Sequence, residues 1–218
     1  VIGDIHFDYR LALSAMESGA AGIRINPGNI RSERGLKRIA QGAIDHDIPI
    51  RVGVNSGSLD AAILKKHGTA VPAALVESAI GFCNRLEELG VNQLKVSIKS
   101  SDVVRTVQAC RMFASKTDFP LHIGVTEAGS MLSGTIKSAV GIGTLLMEGI
   151  GDTIRVSLTA HPVEEVRAGL RILQATGHRQ AMPAVVACPT CGRTQIDVQR
   201  LVTAAEEELD RIRRQTGD

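Results

Sequence analysis

The chain has 218 residues and a formal net charge of +2, which suits one large domain or one domain with a short appendage, and argues against nucleic acid as a partner. Aromatic residues make up 2% of the sequence, so an aliphatic core is expected and stacking on nucleic-acid bases is disfavoured. No apolar run reaches the length of a membrane span, and four cysteines in a chain this long favour a reducing compartment over a disulfide framework.

Short β-branched segments alternate with helical patterns from the first residue to about residue 177. Six segments are predicted to be strands: 1–7, 21–26, 49–55, 93–99, 120–127 and 153–159. The helical patterns between them include 8–19, 71–90, 101–117 and 161–177. Such alternation predicts parallel βαβ units.

Polar residues recur at every second position towards the carboxyl ends of these strands. They include Arg24, Asn26, Arg51, Asn55, Lys95, Ser97, Lys99, Arg155 and Ser157. A period of two places each set on one face of its strand, and a barrel turns that face inward, with its working site at the C-terminal mouth. Six units are two short of closure. The sequence therefore predicts a TIM-type (β/α)8 barrel that lacks its first two strands, which we expect upstream of Val1.

The composition changes near residues 177–184. Residues 1–177 are interpreted as the substrate-binding partial barrel, and residues 178–218 as a linker and the beginning of a smaller α+β domain. Within the second region, residues 184–193 (AVVACPTCGR) predict a strand that runs into a cysteine loop, and residues 201–218 predict an amphipathic helix.

The predicted mouth collects four cations from four strands: Arg24, Arg51, Lys99 and Arg155. Burying several cations together is costly unless anions neutralise them. The anion is either a phosphate or diphosphate ligand, which suits guanidinium groups, or a set of internal carboxylates: Asp4, Asp8 and Glu127. Because the cations outnumber these carboxylates, the phosphate hypothesis is favoured.

Two weaker signals accompany this cluster. Asp4, His6 and Glu127 lie at predicted strand ends, where a carboxylate or imidazole either transfers protons or orients cations. Cys188 and Cys191 form a CxxC pair, which fits half of a zinc site, half of an Fe–S site or a redox disulfide. The local stretch does not distinguish these three possibilities.

Longer blocks of sequence resemble one family. In chain order, they are DIHFDYRLAL, RINPGNI, PIRVGVNSGSL, KVSIKSSDV, TEAG, GIGDTIRVSL, PVEEV and ACPTCGR. Through these blocks, the whole chain resembles the 4-hydroxy-3-methylbut-2-enyl diphosphate synthases, Fe–S oxidoreductases of the methylerythritol phosphate route to isoprenoids. The resemblance implies reductive ring opening and dehydroxylation of 2-C-methyl-D-erythritol 2,4-cyclodiphosphate. It also implies that a small domain carrying a [4Fe–4S] cluster follows the barrel.

The resemblance assigns roles to residues. It implies seven substrate clamps: Arg24, Arg51, Asn55, Lys99, Thr126, Arg155 and Ser157. It places four polar groups near the reacting carbon, with Glu127 as the expected proton donor: Asp4, His6, Asn26 and Glu127. Cys188 and Cys191 become two cluster ligands, with a third Cys and a Glu expected downstream of Asp218. The 218 residues alone are therefore expected to be inactive.

The resemblance further implies partners and location. Flavodoxin or ferredoxin supplies electrons, the complete protein is a homodimer, and the location is cytoplasmic, or plastidic if a transit peptide preceded Val1. Two alternatives remain open. One is a cluster-free diphosphate-binding barrel of the pterin-binding synthase type, and the other is a non-catalytic ligand-binding fragment with a zinc or redox CxxC.

Overall fold

The computed structural model describes residues 1–30, 32–179 and 185–216. Its strands are β1 (Gly3–Asp4), β2 (Ile23–Ile25), β3 (Ile50–Asn55), β4 (Leu94–Lys99), β5 (His122–Ile123) and β6 (Thr153–Ile154). Its helices are α1 (Tyr9–Glu17), α2 (Glu33–Asp45), α3 (Ala61–His67), α4 (Pro72–Glu88), α5 (Val103–Ala114), α6 (Met131–Met147), α7 (Pro162–Ala175) and α8 (Val198–Thr216). A short 3-10 turn at Ser56–Ser58 follows β3.

Each strand lies beside its neighbour in the sequence. Strands β1 to β4 pair in that order and in parallel, and β5 pairs in parallel with β6. A parallel bridge between Val96 and Leu121 joins the two groups. An open doubly wound sheet reverses its strand order at a switch point, whereas a barrel wall keeps the order of the chain. The predicted parallel βαβ units are therefore confirmed. The two strands expected upstream of Val1 stay a prediction.

Side-chain caps start several helices directly after the strands. Asp8 accepts a hydrogen bond from the Arg10 backbone amide at 3.0 Å, and Asp102 accepts one from the Arg105 amide at 2.7 Å. Such caps satisfy amide groups that the first helical turn leaves without partners. They fix the start of each helix close to the carboxyl end of the preceding strand, where the candidate site lies.

The strands carry apolar residues on one face and polar residues on the other. Ile23 and Ile25 are fully buried and flank Arg24, while Val52 and Val54 flank Gly53. Because alternate residues of a strand face opposite sides, the aliphatic positions pack towards the helices and leave the polar positions on the inner face. The core is aliphatic, as the composition predicts, with few aromatic members such as Phe113.

The C-terminal segment differs from its prediction. Residues 185–197 form no strand, and helix α8 begins at Val198 rather than at residue 201. The predicted strand at 184–193 is therefore wrong over its described part. Val186 is 96% exposed, which shows that its side chain packs against no other element of the described residues. Residues 180–184, which include most of the predicted domain boundary, lie outside the described residues, and so do Gly217 and Asp218. No helix within the described ranges combines the length and apolarity needed to cross a membrane.

Candidate functional site

The strand register brings the predicted polar residues onto one surface. Asp4 lies beside Arg24, Arg24 lies beside Arg51, and Asn55 lies beside Lys99. We call Arg24, Arg51, Lys99 and Arg155 the cationic cluster. Arg24 and Arg51 lie between buried aliphatic residues, Lys99 follows buried Ile98, and the exposed Arg155 lies just after β6, before buried Val156; the alternation places all four on the inner face of the wall.

Arg24 is held in place by residues of its two neighbouring strands, β1 and β3, among them a glycine. It is 8% exposed, and its Nη1 donates to Asp4 Oδ1 at 2.9 Å. With the Asn55 amide oriented to satisfy both of its polar atoms, the amide oxygen accepts from Arg24 Nη2 at 3.3 Å. A Cβ at Gly53 would lie 2.3 Å from Arg24 Nε. Gly53 is thus a site residue that sequence reasoning missed, although a glycine inside a strand often marks such a close approach.

Within the described ranges, Arg51, Lys99 and Arg155 form no ion pair with a carboxylate. Lys99 is 8% exposed, and burial, followed by the charges of Arg155, Arg51 and Arg24, lowers its pKa from 10.5 to about 7. Burial and the charge of Arg24 also lower the pKa of the half-buried Arg51, whose Nε is buried without a hydrogen-bond partner. Among the described residues, ion pairs link the cationic cluster to a carboxylate only through Arg24 and Asp4.

The alternative to a phosphate ligand is that Asp4, Asp8 and Glu127 neutralise the cations. Two of these three carboxylates, Asp8 and Glu127, form no ion pair with the cationic cluster among the described residues. Asp8 caps helix α1 and binds the Arg10 side chain, with Arg10 Nη2 donating to Asp8 Oδ2 at 2.8 Å. Glu127 is exposed, and within the described ranges its side chain takes part in no recorded ion pair. Within the described ranges, Asp4 is thus the one carboxylate of the three that pairs with the cationic cluster, which favours the phosphate hypothesis over the internal-carboxylate alternative.

The loop after β1 places His6 beside Asp4. His6 Nε2 lies 3.6 Å from Asp4 Oδ2, and both side chains are about half exposed. The Asp8 amide donates to the His6 carbonyl at 2.6 Å, and Phe7 between them has φ +58°. This is a tight three-residue turn in a backbone region that favours glycine. The turn leaves the Phe7 ring exposed and keeps His6 at the rim of the inner face.

Asn26 uses both ends of its amide within the protein. It is 3% exposed, its Nδ2 donates to Ser58 Oγ at 2.7 Å, and its Oδ1 accepts from the Gly28 amide at 2.9 Å. A Cβ at Gly28 would lie 2.0 Å from the Ser58 carbonyl oxygen. The NPGN motif is therefore a packed turn, and Asn26 ties the loop after β2 to the turn after β3.

The segment after β5 carries Thr126 and Glu127. The Thr126 amide donates to the Ser100 carbonyl at 3.2 Å, which anchors the segment beside the end of β4. Glu127 has φ +51°, a conformation that costs energy for a residue with a Cβ and recurs at functional sites. Thr126 and Ser157 are both half-buried. The segment therefore holds Glu127 at the carboxyl end of the wall, with its side chain in solvent.

His122 is a second residue that sequence reasoning missed. It lies on β5, is 8% exposed, and its Nδ1 is 2.8 Å from Thr153 Oγ1. Burial, followed by the charges of Lys99, Arg51 and Arg155, lowers its pKa to about 3. Period-two alternation back from Thr126 places position 122 on the inner face, and this signal could have identified it.

The cysteine pair forms an exposed loop of its own. Cys188 and Cys191 are free and exposed. The Cys191 amide donates to Thr194 Oγ1 at 3.1 Å, and hydrogen bonds from Arg193, then Thr194, lower the pKa of Cys191. Among the described residues, no group of three or more Cys, His, Asp or Glu side chains is placed to hold a metal ion. The pair thus offers two thiolate ligands and leaves the other ligands unassigned.

The sequence is similar to a family model and to named proteins from several bacteria. The family model described as "GcpE TIM-barrel domain" matches residues 1–170. A 4-hydroxy-3-methylbut-2-en-1-yl diphosphate synthase (flavodoxin) from Caldanaerobacter subterraneus subsp. tengcongensis is 53% identical over 214 residues, covering 98% of this chain and 60% of the relative. A protein of the same name from Geobacter sulfurreducens is 54% identical over 212 residues, covering 97% of this chain and 59% of the relative. The chain therefore spans about three fifths of the length of these curated relatives.

Similarity to solved structures is weaker. The chain is similar to a type I 3-dehydroquinate dehydratase from Clostridium difficile with a TM-score of 0.45 and 13% identity, covering 75% of this chain and 60% of that one. This likeness is too low to bear on fold or function.

Proposed function

The chain belongs to the GcpE family of 4-hydroxy-3-methylbut-2-en-1-yl diphosphate synthases, and we propose that its protein converts 2-C-methyl-D-erythritol 2,4-cyclodiphosphate to 4-hydroxy-3-methylbut-2-enyl diphosphate. The observation that carries this proposal is the cationic cluster. Four cations share the inner face, and Asp4 is the one carboxylate in the described part of the chain that forms an ion pair with them. A diphosphate supplies the missing negative charge.

The cations and their neighbours act as the substrate clamp. Arg51, Lys99 and Arg155 bind the diphosphate oxygens, and Arg24 adds a guanidinium that Asp4 and Asn55 already orient. Charge-assisted hydrogen bonds of this kind contribute about 1.5–3 kcal/mol each. The hydroxyl groups of Thr126 and Ser157 complete the clamp at the carboxyl ends of their segments.

Four polar residues serve the reacting carbon. Dehydroxylation breaks a carbon–oxygen bond, and the departing oxygen needs a proton to leave as water. Glu127 supplies this proton, since its exposed side chain is not engaged in any recorded ion pair of the described residues. Asp4 and His6 lie 3.6 Å apart and orient the polar end of the substrate, while Asn26 holds two mouth loops together.

Cys188 and Cys191 provide two ligands to a [4Fe–4S] cluster. Their spacing, their exposure and the lowered pKa of Cys191 suit thiolate ligation. The remaining ligands, a Cys and a Glu, come from residues outside these 218. When bound, the cluster would relay, one at a time, the two electrons that the reduction consumes from the external donor to the substrate.

Two further βα units complete the barrel, and residues 178–218 begin the cluster domain. In support of the first point, β1 and β6 each pair on one edge only within the described ranges. A cavity of about 260 Å³ also lies beside β6, lined mainly by apolar residues such as Ile154 of β6, Val156 just after it, and Val166 and Leu173 of α7. An additional strand placed at this edge would cover these side chains.

Flavodoxin is the proposed electron donor, in keeping with the printed names of the relatives. The complete protein is proposed to be a homodimer, and an exposed apolar stripe on α6 supports this, formed by Leu132, Ile136 and Val140. Stripes of this kind mark protein–protein contacts. A cytoplasmic location agrees with the free cysteines of the described residues.

The decisive experiment uses the complete protein, purified without oxygen. We expect about four iron atoms per chain, the visible absorbance of an Fe–S cluster, and turnover of the cyclic diphosphate with reduced flavodoxin. The Cys188→Ser variant should lose iron, whereas the Cys83→Ser variant, which changes a buried thiol of helix α4, should keep it. Stoichiometric zinc without iron would contradict the cluster and favour a cluster-free diphosphate-binding barrel. Turnover by the 218 residues alone would contradict the need for outside ligands.

A further inference from the structure

His122 is a buried residue of the inner face to which the proposed reaction gives no role. Its register neighbour on β6 is Thr153, and its Nδ1 lies 2.8 Å from the Thr153 hydroxyl. The other ring nitrogen, Nε2, is buried and has no hydrogen-bond partner among the described residues. A buried polar atom without a partner requires an explanation, because leaving it unsatisfied costs about 1–3 kcal/mol.

The surroundings of His122 determine the protonation state of its imidazole. Burial and the neighbouring charges of Lys99, Arg51 and Arg155 all disfavour the positive imidazolium. The ring is therefore neutral near pH 7, with one nitrogen as a donor and the other as an acceptor.

The same charges decide which nitrogen carries the proton. Thr153 Oγ1 engages Nδ1, which leaves Nε2 as the ring nitrogen free to meet the neighbouring positive charges; beside such charges, a lone pair is favoured over an N–H group. The lone pair is the favourable arrangement, so the proton belongs on Nδ1 and is donated to Thr153 Oγ1. Thr153 thus fixes the tautomer, in the way that a partner on one ring nitrogen generally does.

We propose that His122 is a positioning residue, whose Nε2 lone pair accepts a hydrogen bond from the cationic cluster and holds its donors in place for the incoming anion. Two cluster donors are available to it: Lys99, whose ammonium has no carboxylate partner in the described ranges, and Arg51, whose Nε is itself buried without a partner. Because His122 Nε2 has no direct partner among the described residues, the contact passes through one water molecule. The inference rests on the proposed function, since it assumes that the cluster binds a diphosphate.

A tautomer measurement tests the proposal without turnover. The complete protein, labelled with ¹⁵N-histidine, is examined by two-bond ¹H–¹⁵N correlation, and the His122 signals are identified by their loss in the His122→Gln variant. We expect a neutral ring protonated on Nδ1 from pH 6 to pH 8. A proton on Nε2, or a charged ring, overturns the proposal.

Two variants separate positioning from a structural role. His122→Asn retains an amide at the place of Nδ1 and removes the acceptor, whereas His122→Gln retains an acceptor near the place of Nε2 and removes the Thr153 contact. By calorimetry with inorganic pyrophosphate, we expect about tenfold weaker binding for the Asn variant, the equivalent of one lost hydrogen bond, and nearly normal binding for the Gln variant. The reverse ranking overturns the proposal and assigns His122 to the Thr153 contact alone.

Failure of the proposed function has a different signature. It appears as missing iron or missing turnover in the wild-type protein, and neither changes the tautomer or the ranking of the two variants. If both variants fail to fold, the His122 ring signals are assigned instead by through-bond correlation to the backbone in the ¹³C,¹⁵N-labelled wild-type protein, and the wild-type tautomer decides the question.

Discussion

Lys99 is a buried cation with no carboxylate partner among the described residues. Burial is the first cause of its lowered pKa, and the three arginines of the cationic cluster add to it. The charged form of Lys99 is therefore costly while the site is empty. A bound anion favours the charged form of Lys99, because it offsets the repulsion from the arginines that adds to the effect of burial.

Binding of an anion is expected to take up a proton. With a pKa of about 7 in the empty site, Lys99 is about half charged at pH 7 and mostly neutral at pH 8.5. Calorimetry with inorganic pyrophosphate, in buffers of different ionisation enthalpy, should show proton uptake that grows over this range. The Lys99→Arg variant, with its permanent charge, should lose the Lys99 share of this uptake. A wild-type uptake equal to that of Lys99→Arg would disprove the coupling.

The same shift affects stability with a definite sign. Between about pH 7 and the ordinary value of 10.5, native Lys99 releases its proton while the unfolded chain keeps it. The unfolded state then binds more protons, so the Lys99 contribution to the free energy of unfolding rises with pH across this window.

Gly53 is expected to be intolerant of any side chain. In Gly53→Ala, the new methyl group would lie 2.3 Å from Arg24 Nε, which forces the guanidinium out of its place beside Asp4 and Asn55. Overpacking of this kind costs about 1–3 kcal/mol, measured by urea unfolding, and pyrophosphate binding should weaken with it. Gly57→Ala is the matched control, since its Cβ meets nothing within 4 Å. Equal effects from both variants would contradict the steric explanation.

At the scale of elements, the alternation of polar and apolar residues predicted which face a side chain occupies better than it predicted the length of each strand. The sequence placed Arg24, Arg51 and Lys99 on one face, and the register pairs Arg24 with Arg51 and Lys99 with Asn55. The strand lengths were overestimated, since β5 pairs only at His122–Ile123 and the predicted segment ran from 120 to 127. Side-chain alternation continues where the chain is extended, while a hydrogen-bonded ladder also needs an adjacent strand in register.

Other site features depended on distances that no linear pattern contains. The contact between Gly53 and Arg24 joins two strands 29 residues apart in sequence, and the Asn26–Ser58 hydrogen bond joins two loops. The strand predicted around Val186 is a different error. There, an apolar run was expected to form a strand, but it pairs with no strand of the described residues and is irregular. The roles of the predicted site residues remain predictions.

Helix α3 contacts α4 through the Glu77 carboxylate, in addition to the packing of Ile63 and Leu64 against the core. Lys66 Nζ and His67 Nε2 lie 2.9 Å and 2.8 Å from the Glu77 carboxylate, and these contacts lower the pKa of Glu77. In Glu77→Gln, we expect faster amide exchange at residues 61–67 with little change in the overall melting temperature, because exposed ion pairs contribute little to global stability. Glu88→Gln, a charge loss elsewhere on α4, should leave the exchange unchanged. Unaltered exchange in Glu77→Gln would show that apolar contacts alone hold α3.

At the scale of the whole molecule, the two faces of the wall have opposite effects on stability. The aliphatic outer faces of the strands pack against the helices and stabilise the wall. The inner face collects like charges that repel one another while the site is empty. A ligand that neutralises these charges should therefore stabilise the fold by mass action and also by relieving that repulsion.

The chain-ordered strands have a consequence for synthesis. Since β2, β3, β4 and the segment after β6 each add one cation to the same face, a chain that emerges from the ribosome builds up positive charge on this face as these four units dock. The late units join an already charged surface, so the electrostatic penalty is greatest near the end of assembly. Cellular polyphosphates and other small anions would lower it, and an anion site of this kind would also act as an aid to the folding of the nascent chain.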